Sequence, residues 1–316
     1  MLDANHWQHQ YSLSLDLYEM SASVSCLNGD ISDMQHRLNE IFSHTQSFED
    51  SLTASGLLSK LLAASSKFTE AMDKCLSVLS TLGEKFPEDP DKTLVLSELA
   101  VIQTTLANIS VSQVKLLPKM TDKSKLHTMR FLSTVGLYAI SRKPLLIPMV
   151  ACRMVRLTIE YGFCDDSIIG FVTAGHSLFN FTDAEQLGYR ISKVGDALIE
   201  ENSNRHALRS RLCFELDGTL KYLFEPMQSA IDVIPERYTS SMLAGDVGNA
   251  LRCRVIHSQL GLIAGSPLKP LLKQVTLCIE QSVSYCVGIY QFYCVCVPNK
   301  VIPSLSPQTP KDQIST

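Results

Sequence analysis

Two Gly-Asp steps, Gly29-Asp30 and Gly245-Asp246, each close one apolar-periodic segment and open another. Glycine tolerates the left-handed backbone at which many helices end, and an aspartate just after it can accept from the exposed amides of the next helix. Before the first step Leu13, Leu17, Met20 and Val24 share one helical stripe. After it Met34, Leu38, Ile41 and Phe42 share another. A single helix pair cannot bury its apolar faces alone, so neighbours must stack. The spacing predicts an all-α solenoid of stacked antiparallel helix pairs, a tetratricopeptide-like superhelix of about twelve to fourteen helices.

Residues 1–10 read as an N-terminal tail, 11–264 as the repeat array, 265–297 as C-terminal capping helices and 298–316 as a proline-rich disordered tail. Within the array, helices are expected over 11–26, 31–45, 48–65 and 67–82, the last closed by Gly83. Pro87 and Pro90 make 84–92 a loop that no helix crosses. Helix resumes over 94–107 and 125–141, while Pro118 interrupts 110–123. Pro144 opens the most apolar helix, in which Arg153, Arg156 and Glu160 form a narrow charged stripe and Arg156 and Glu160 stand four apart, able to pair. A pair over 166–179 and 184–200 follows, with Thr182 as cap and Glu185 three residues on, the spacing of a capping box. Helices are then expected over 204–224, over a segment kinked or split at Pro235, from Gly245-Asp246 to 263, and over 268–296.

Several function classes fall away on composition. A net charge of -4 supplies none of the counterion-release drive of nucleic-acid binding. Ten cysteines without one C-x-x-C pair point to a reducing compartment, and the cytoplasm is the expected location. Residues 1–19 lack the basic and apolar regions of a secretory signal. The apolar stretch 283–297 is shorter than the roughly 20 residues that span a bilayer. It reads instead as a sticky terminal surface suited to self-association.

A search for chemistry finds no P-loop, no dinucleotide-binding glycine cluster, no kinase catalytic element and no nucleophile elbow. The eight histidines show no zinc-ligand spacing; His6 and His9 share a face but make a poor metal pair. Asp165-Asp166 stands where a helix begins and reads as compensation of the helix dipole. No catalytic, cofactor or metal residue is therefore assigned, and no cofactor is expected. His176 and Asn180, four apart on one helix, and Arg153, without an obvious local partner, are the candidate groove residues for a protein or peptide ligand. Gly29, Asp30, Thr182, Glu185, Gly245 and Asp246 are structural turns and caps. Ser306-Pro307 and Thr309-Pro310 are common phosphorylation dipeptides in the tail.

The chain also resembles a known arrangement. Leu27-Asn28-Gly29-Asp30, Ala71-Met72 with Leu79 and Leu82-Gly83, and Phe86-Pro87-Glu88-Asp89-Pro90 are similar to the tetratricopeptide-like region of large signalling proteins that join a "predicted ATPase" module, a serine/threonine kinase and a histidine kinase. The resemblance runs on through Leu117-Pro118-Lys119-Met120-Thr121-Asp122, Val155 to Gly162, Gly175, Gly188-Tyr189-Arg190 and Gly245-Asp246-Val247-Gly248-Asn249-Ala250, covering roughly residues 12 to 296. Asp183-Ala184 stands where that family has Gly-Asp, and Phe224 where it has tryptophan. The resemblance implies a non-catalytic interaction or regulatory scaffold whose partner is a kinase or ATPase. The alternative is a fragment of a multidomain ATPase or hybrid kinase, with the catalytic domains outside this chain. Since those domains lie outside the matched region, no catalytic residue carries over.

Overall fold

The computed structural model describes residues 5–140, 142–199, 208 and 213–285. Among them are fifteen helices and no strand; the one β-type pairing is an isolated bridge between Lys119 and Phe163. The expected tail 298–316, its two phosphorylation dipeptides and the end of the apolar stretch 283–297 lie outside the described residues. The chain divides into two compact units, Met1–Val194 and Gly195–Thr316.

The first unit opens with α1 (His6–His9), α2 (Tyr11–Asn28), α3 (Ile31–His44), α4 (Leu52–Ala64) and α5 (Phe68–Thr81), followed by α6 (Lys92–Leu106) and α7 (Val111–Lys115). It continues through α8 (Lys123–Ala139), α9 (Leu146–Tyr161) and α10 (Asp165–Phe181), and α11 (Glu185–Ile199) crosses into the second. Each helix from α2 to α5 packs on the next. The sequence of neighbours then skips two: α5 lies on α8, α8 on α9 and α9 on α10, while α6 lies against α9 and α10. Prolines explain the detour, because Pro87 and Pro90 release the chain from α5 and Pro118 ends the short α7. The main core draws Met72, Cys75 and Leu79 from α5, Phe131, Leu132 and Val135 from α8, and Val150, Met154 and Leu157 from α9. A smaller core joins Met34, Leu38 and Ile41 of α3 to Ala54, Leu57 and Leu61 of α4.

The second unit holds a π-helical turn (Cys213–Asp217), α12 (Lys221–Phe224), α13 (Met227–Leu243), α14 (Val247–Ile263) and α15 (Leu268–Ser284). Here α13 packs on α14 and α14 on α15, and the π turn sits against α13 and α14. Its cores are Cys213, Ile231, Ile234, Cys253 and Ile256, and Leu251, Val255, Leu271 and Val275.

One helix-ending device recurs. Gly29, Gly83, Gly245 and Gly265 adopt φ of 72°, 91°, 71° and 76°. In each case the following amide reaches five residues back, as Asp30 N–H does to Ser25 and Asp246 N–H to Ser241, both at 2.9 Å. This satisfies the last carbonyls of the helix with a conformation that glycine adopts without steric cost. Asp30 and Asp246 then accept from the amides of Asp33 at 2.9 Å and Asn249 at 3.1 Å, heading α3 and α14.

Several expectations need correction. Pro235 neither splits nor ends its helix, since α13 runs through it from Met227 to Leu243; a proline costs one backbone bond there, and Ile231 and Ile234 beside it are buried in the core. Of the helix expected over 204–224, the described residues are Leu208, which is helical, a π turn over Cys213–Asp217 and, after a turn, the four-residue α12, so its second half is interrupted. Thr182 ends α10, its hydroxyl donating to Leu178 O at 2.6 Å and accepting from Ala184 N–H at 3.2 Å. Glu185 is already the first residue of α11, so the two do not form a capping box. Arg156 pairs with Glu98 of α6 rather than with Glu160. A long-range ion pair has replaced the local one.

Candidate interaction surface

Helix α2 is mounted with its apolar stripe outward. Leu13, Leu17, Met20, Val24 and Leu27 are 50, 40, 65, 54 and 64% exposed, whereas Ser14, Ala22 and Ser25 are the residues it buries. The stripe of α3 behaves as expected, with Met34, Leu38 and Ile41 in the core. For α2 the expectation that stacking covers the stripe is overturned, because its other side already supplies the contact: Leu15, Tyr18 and Cys26 pack against the core of α3 and α4 beside the buried Ser14, Ala22 and Ser25.

Polar bonds fix that orientation. Ser14 Oγ lies 2.9 Å from His6 Nδ1, and Ser25 Oγ donates to Asp33 Oδ2 at 2.5 Å. Tyr11 Oη donates to Asp50 Oδ2 at 2.7 Å and accepts the Gln46 amide at 3.0 Å. Trp7 of α1 stacks flat on His44, with ring centroids 4.7 Å apart. Bonds to Ser25 and then Arg37 hold the Asp33 carboxyl below the usual carboxylate range. Rotating α2 to bury its stripe would break these contacts and leave several polar groups to be satisfied again.

The exposed residues stand at intervals of four, three, four and three, the heptad rhythm of a coiled-coil seam. From Leu13 to Leu27 the strip is about 21 Å long. Contiguous apolar surface of this extent marks interaction sites on soluble proteins. The chemistry offered is that of helix-on-helix docking: aliphatic knobs, with Asp16 and Glu19 as the only charges and no lysine or arginine in α2.

The residues expected to line a groove stand on the neighbouring helices α9 and α10. Asn180 Nδ2 donates to His176 O at 2.8 Å, so those two join within α10. Arg153 has a partner after all: it pairs with Glu84, a buried carboxylate that Lys125 also approaches at 3.7 Å. Its guanidinium lies over the Phe86 ring, 5.6 Å from the centroid. The arginine therefore pins the loop after α5 to α9. An open recess of about 680 Å³ is lined by Ala107, Gln186, Leu187, Tyr189, Arg190 and Lys193. Arg190 there donates to the carbonyls of Leu106, Ala107 and Ile109 at 3.0, 2.6 and 2.7 Å, capping the end of α6.

Among the described residues no three or more His, Cys, Asp or Glu side chains gather to hold a metal ion. No described helix is long and apolar enough to cross a membrane. Comparison with protein-family models, with curated proteins and with solved structures finds no match.

The sequence stripe Leu13-Leu17-Met20-Val24 located this surface but not its direction. The missed signal is the opposite side of the same helix, where Leu15, Tyr18 and Cys26 form a second apolar set around Ser14, Ala22 and Ser25 and pack against the core.

Proposed function

We propose that the chain is a non-catalytic protein–protein interaction scaffold, built as a tetratricopeptide-like stack of helix pairs and working by docking helices rather than by chemistry on a substrate. The observation that carries the reading is the outward heptad stripe of α2, anchored from behind by hydrogen bonds. Catalysis makes no use of such a stripe, whereas a scaffold draws its binding energy from it: each large aliphatic side chain taken fully from water is worth about 1.5–3 kcal/mol. The resemblance to the repeat region of signalling ATPase–kinase proteins supports the same reading and suggests a kinase or ATPase as the regulated partner. The free cysteines Cys75, Cys152, Cys213, Cys253 and Cys278, all buried, support a reducing, cytoplasmic setting.

The test is cross-linking capture from the native cells with the intact chain and with Leu17→Glu/Val24→Glu. A protein recovered by the first and lost with the second is the expected result. Recovery that ignores the substitutions overturns the assignment of the surface. Nucleotide-dependent phosphate release or autophosphorylation above a denatured control overturns the non-catalytic reading.

A further inference from the structure

We infer that Cys213 and Cys253 form a peroxide-sensitive dithiol in the second unit, one that closes to a disulfide and staples the π turn to α14. The π turn packs on α14, and the two cysteines belong to one core, each fully enclosed. Both are free, and their thiols meet, Cys213 Sγ donating to Cys253 Sγ. By comparison Cys278, in the neighbouring core, donates to a main-chain acceptor, Leu251 O at 3.7 Å. The backbone at Cys213 is unusual as well: the Gly218 amide reaches back five residues to Cys213 O at 2.7 Å, the π-helical step that is rare in proteins and concentrates at functional sites. Asp217 ends the same turn and pairs with Arg237 of α13. A disulfide to α14 would therefore tie the turn covalently on one side where the ion pair already ties it on the other.

The resting state is the dithiol. The hydrogen bond that Cys213 donates to Cys253, and then burial, push the Cys213 thiol well above its ordinary pKa, so it carries its proton at neutral pH and does not react with the bulkier disulfides of the solvent. Hydrogen peroxide is small and neutral, and local opening of the short turn admits it. Cys213 is held by the bond it donates, so the Cys253 sulfur attacks first. The peroxide O–O bond breaks, one oxygen leaves as water with the Cys253 thiol proton, and Cys253 becomes a sulfenic acid. The Cys213 sulfur then attacks the Cys253 sulfur, the S–S bond forms, and the hydroxyl leaves as a second water with the Cys213 proton. Two thiols have lost two electrons and one peroxide has gained them.

The experiment exposes the folded, full chain to hydrogen peroxide, blocks the remaining thiols and maps the peptides by mass spectrometry without reduction. The expected product is a peptide pair joining Cys213 to Cys253, two hydrogens lighter than its separate halves and returned to thiols by dithiothreitol. Thermal unfolding followed by circular dichroism should move up by at least about 5 °C on oxidation, because the cross-link constrains the unfolded chain, and dithiothreitol should reverse the rise. Cys253→Ala should abolish both the link and the rise, while Cys152→Ala, which removes an enclosed cysteine of the first unit, should leave both in place. The map of the wild-type chain decides the pairing even where a variant fails to fold. Cys213 and Cys253 recovered as separately blocked thiols, each oxidised singly to a sulfinic acid, or linked to other cysteines overturns the dithiol. A Cys213 to Cys253 link with no rise in melting temperature overturns the staple.

Discussion

Gly175 and Gly188 place the backbones of α10 and α11 in direct contact, and alanine at Gly175 should show how much the unit depends on that approach. A Cβ added at Gly175 would lie 2.4 Å from Gly188 O, 2.3 Å from Ser192 Oγ and 2.8 Å from Ser192 N. Ordinary contact begins at 3.4 Å, so the helices must separate by about 1 Å, which an overpacked interface resists at a cost of about 1–3 kcal/mol. Against this stands the better helix propensity of alanine, about 1 kcal/mol. Gly136 in α8 isolates that second effect, because a Cβ there would meet only Val150 Cγ1, at 3.9 Å. Gly175→Ala should therefore lower stability by up to about 2 kcal/mol, while Gly136→Ala raises it by somewhat under about 1 kcal/mol, leaving the two about 1–3 kcal/mol apart. For a unit of this size that difference corresponds to about 2–12 °C in Tm. Urea unfolding followed by circular dichroism reads both. Equal effects of the two substitutions, or a Gly175→Ala chain more stable than the wild type, would refute the close-approach argument.

Two further outcomes follow from buried charge. In the second unit Arg237 is buried against Asp217, which is itself fully enclosed, and lies 3.3 Å from Asp196; Arg237→Met should cost about 3–5 kcal/mol by stranding the Asp217 carboxylate, and Asp217→Leu in the same chain should restore much of it, as equilibrium unfolding will show. In α8, burial and then the neighbouring Arg130 charge lower the pKa of His127 below its ordinary value. The folded chain thus binds this proton less readily than the unfolded one, so His127 contributes stability that is complete above about pH 6.5 and is lost as pH falls toward the folded pKa. NMR titration should place the His127 midpoint on the acid side of about 6.5, and His127→Gln should remove its share of the stability slope between about pH 7 and 5.

Much of the helix inventory is legible because its punctuation is local. A glycine followed by an aspartate meets two requirements at once, a left-handed exit and an accepting cap, and both Gly29-Asp30 and Gly245-Asp246 meet them with the geometry those residue types imply. The failures are where tertiary contact overrides local pairing. Arg156 has Glu160 one turn away yet pairs with Glu98, 58 residues distant, because the packing of α6 on α9 delivers a carboxylate that nothing near Arg156 in the chain announces. The split expected as one outcome at Pro235 fails for the same reason. The proline's missing amide is a local cost of about 3 kcal/mol, and the buried side chains of α13 hold the helix together across it.

The candidate surface exposes a deeper asymmetry between periodicity and direction. A spacing of three and four establishes that Leu13, Leu17, Met20, Val24 and Leu27 share one side of a helix; it says nothing about whether that side meets its own fold or something else. In α3 the choice is forced, since the side opposite Met34, Leu38 and Ile41 carries the polar Ser32, His36, Asn39 and Ser43, for which burial without partners is costly. In α2 the opposite side carries Leu15, Tyr18 and Cys26, which pack against the core, and Ser14 and Ser25, which bury at little cost once His6 and Asp33 supply hydrogen bonds. Either side of α2 can therefore face inward, and contacts 8 residues away in the chain decide it. A helix with apolar residues on both sides and hydroxyls on one is consequently a two-sided connector: the side bearing Leu15, Tyr18 and the bonded serines fixes it to its own unit, and the outer stripe remains for a partner. Leu17→Glu separates the two roles, because it should leave the helix seated on Ser14 and Ser25 while removing what the outer side can hold.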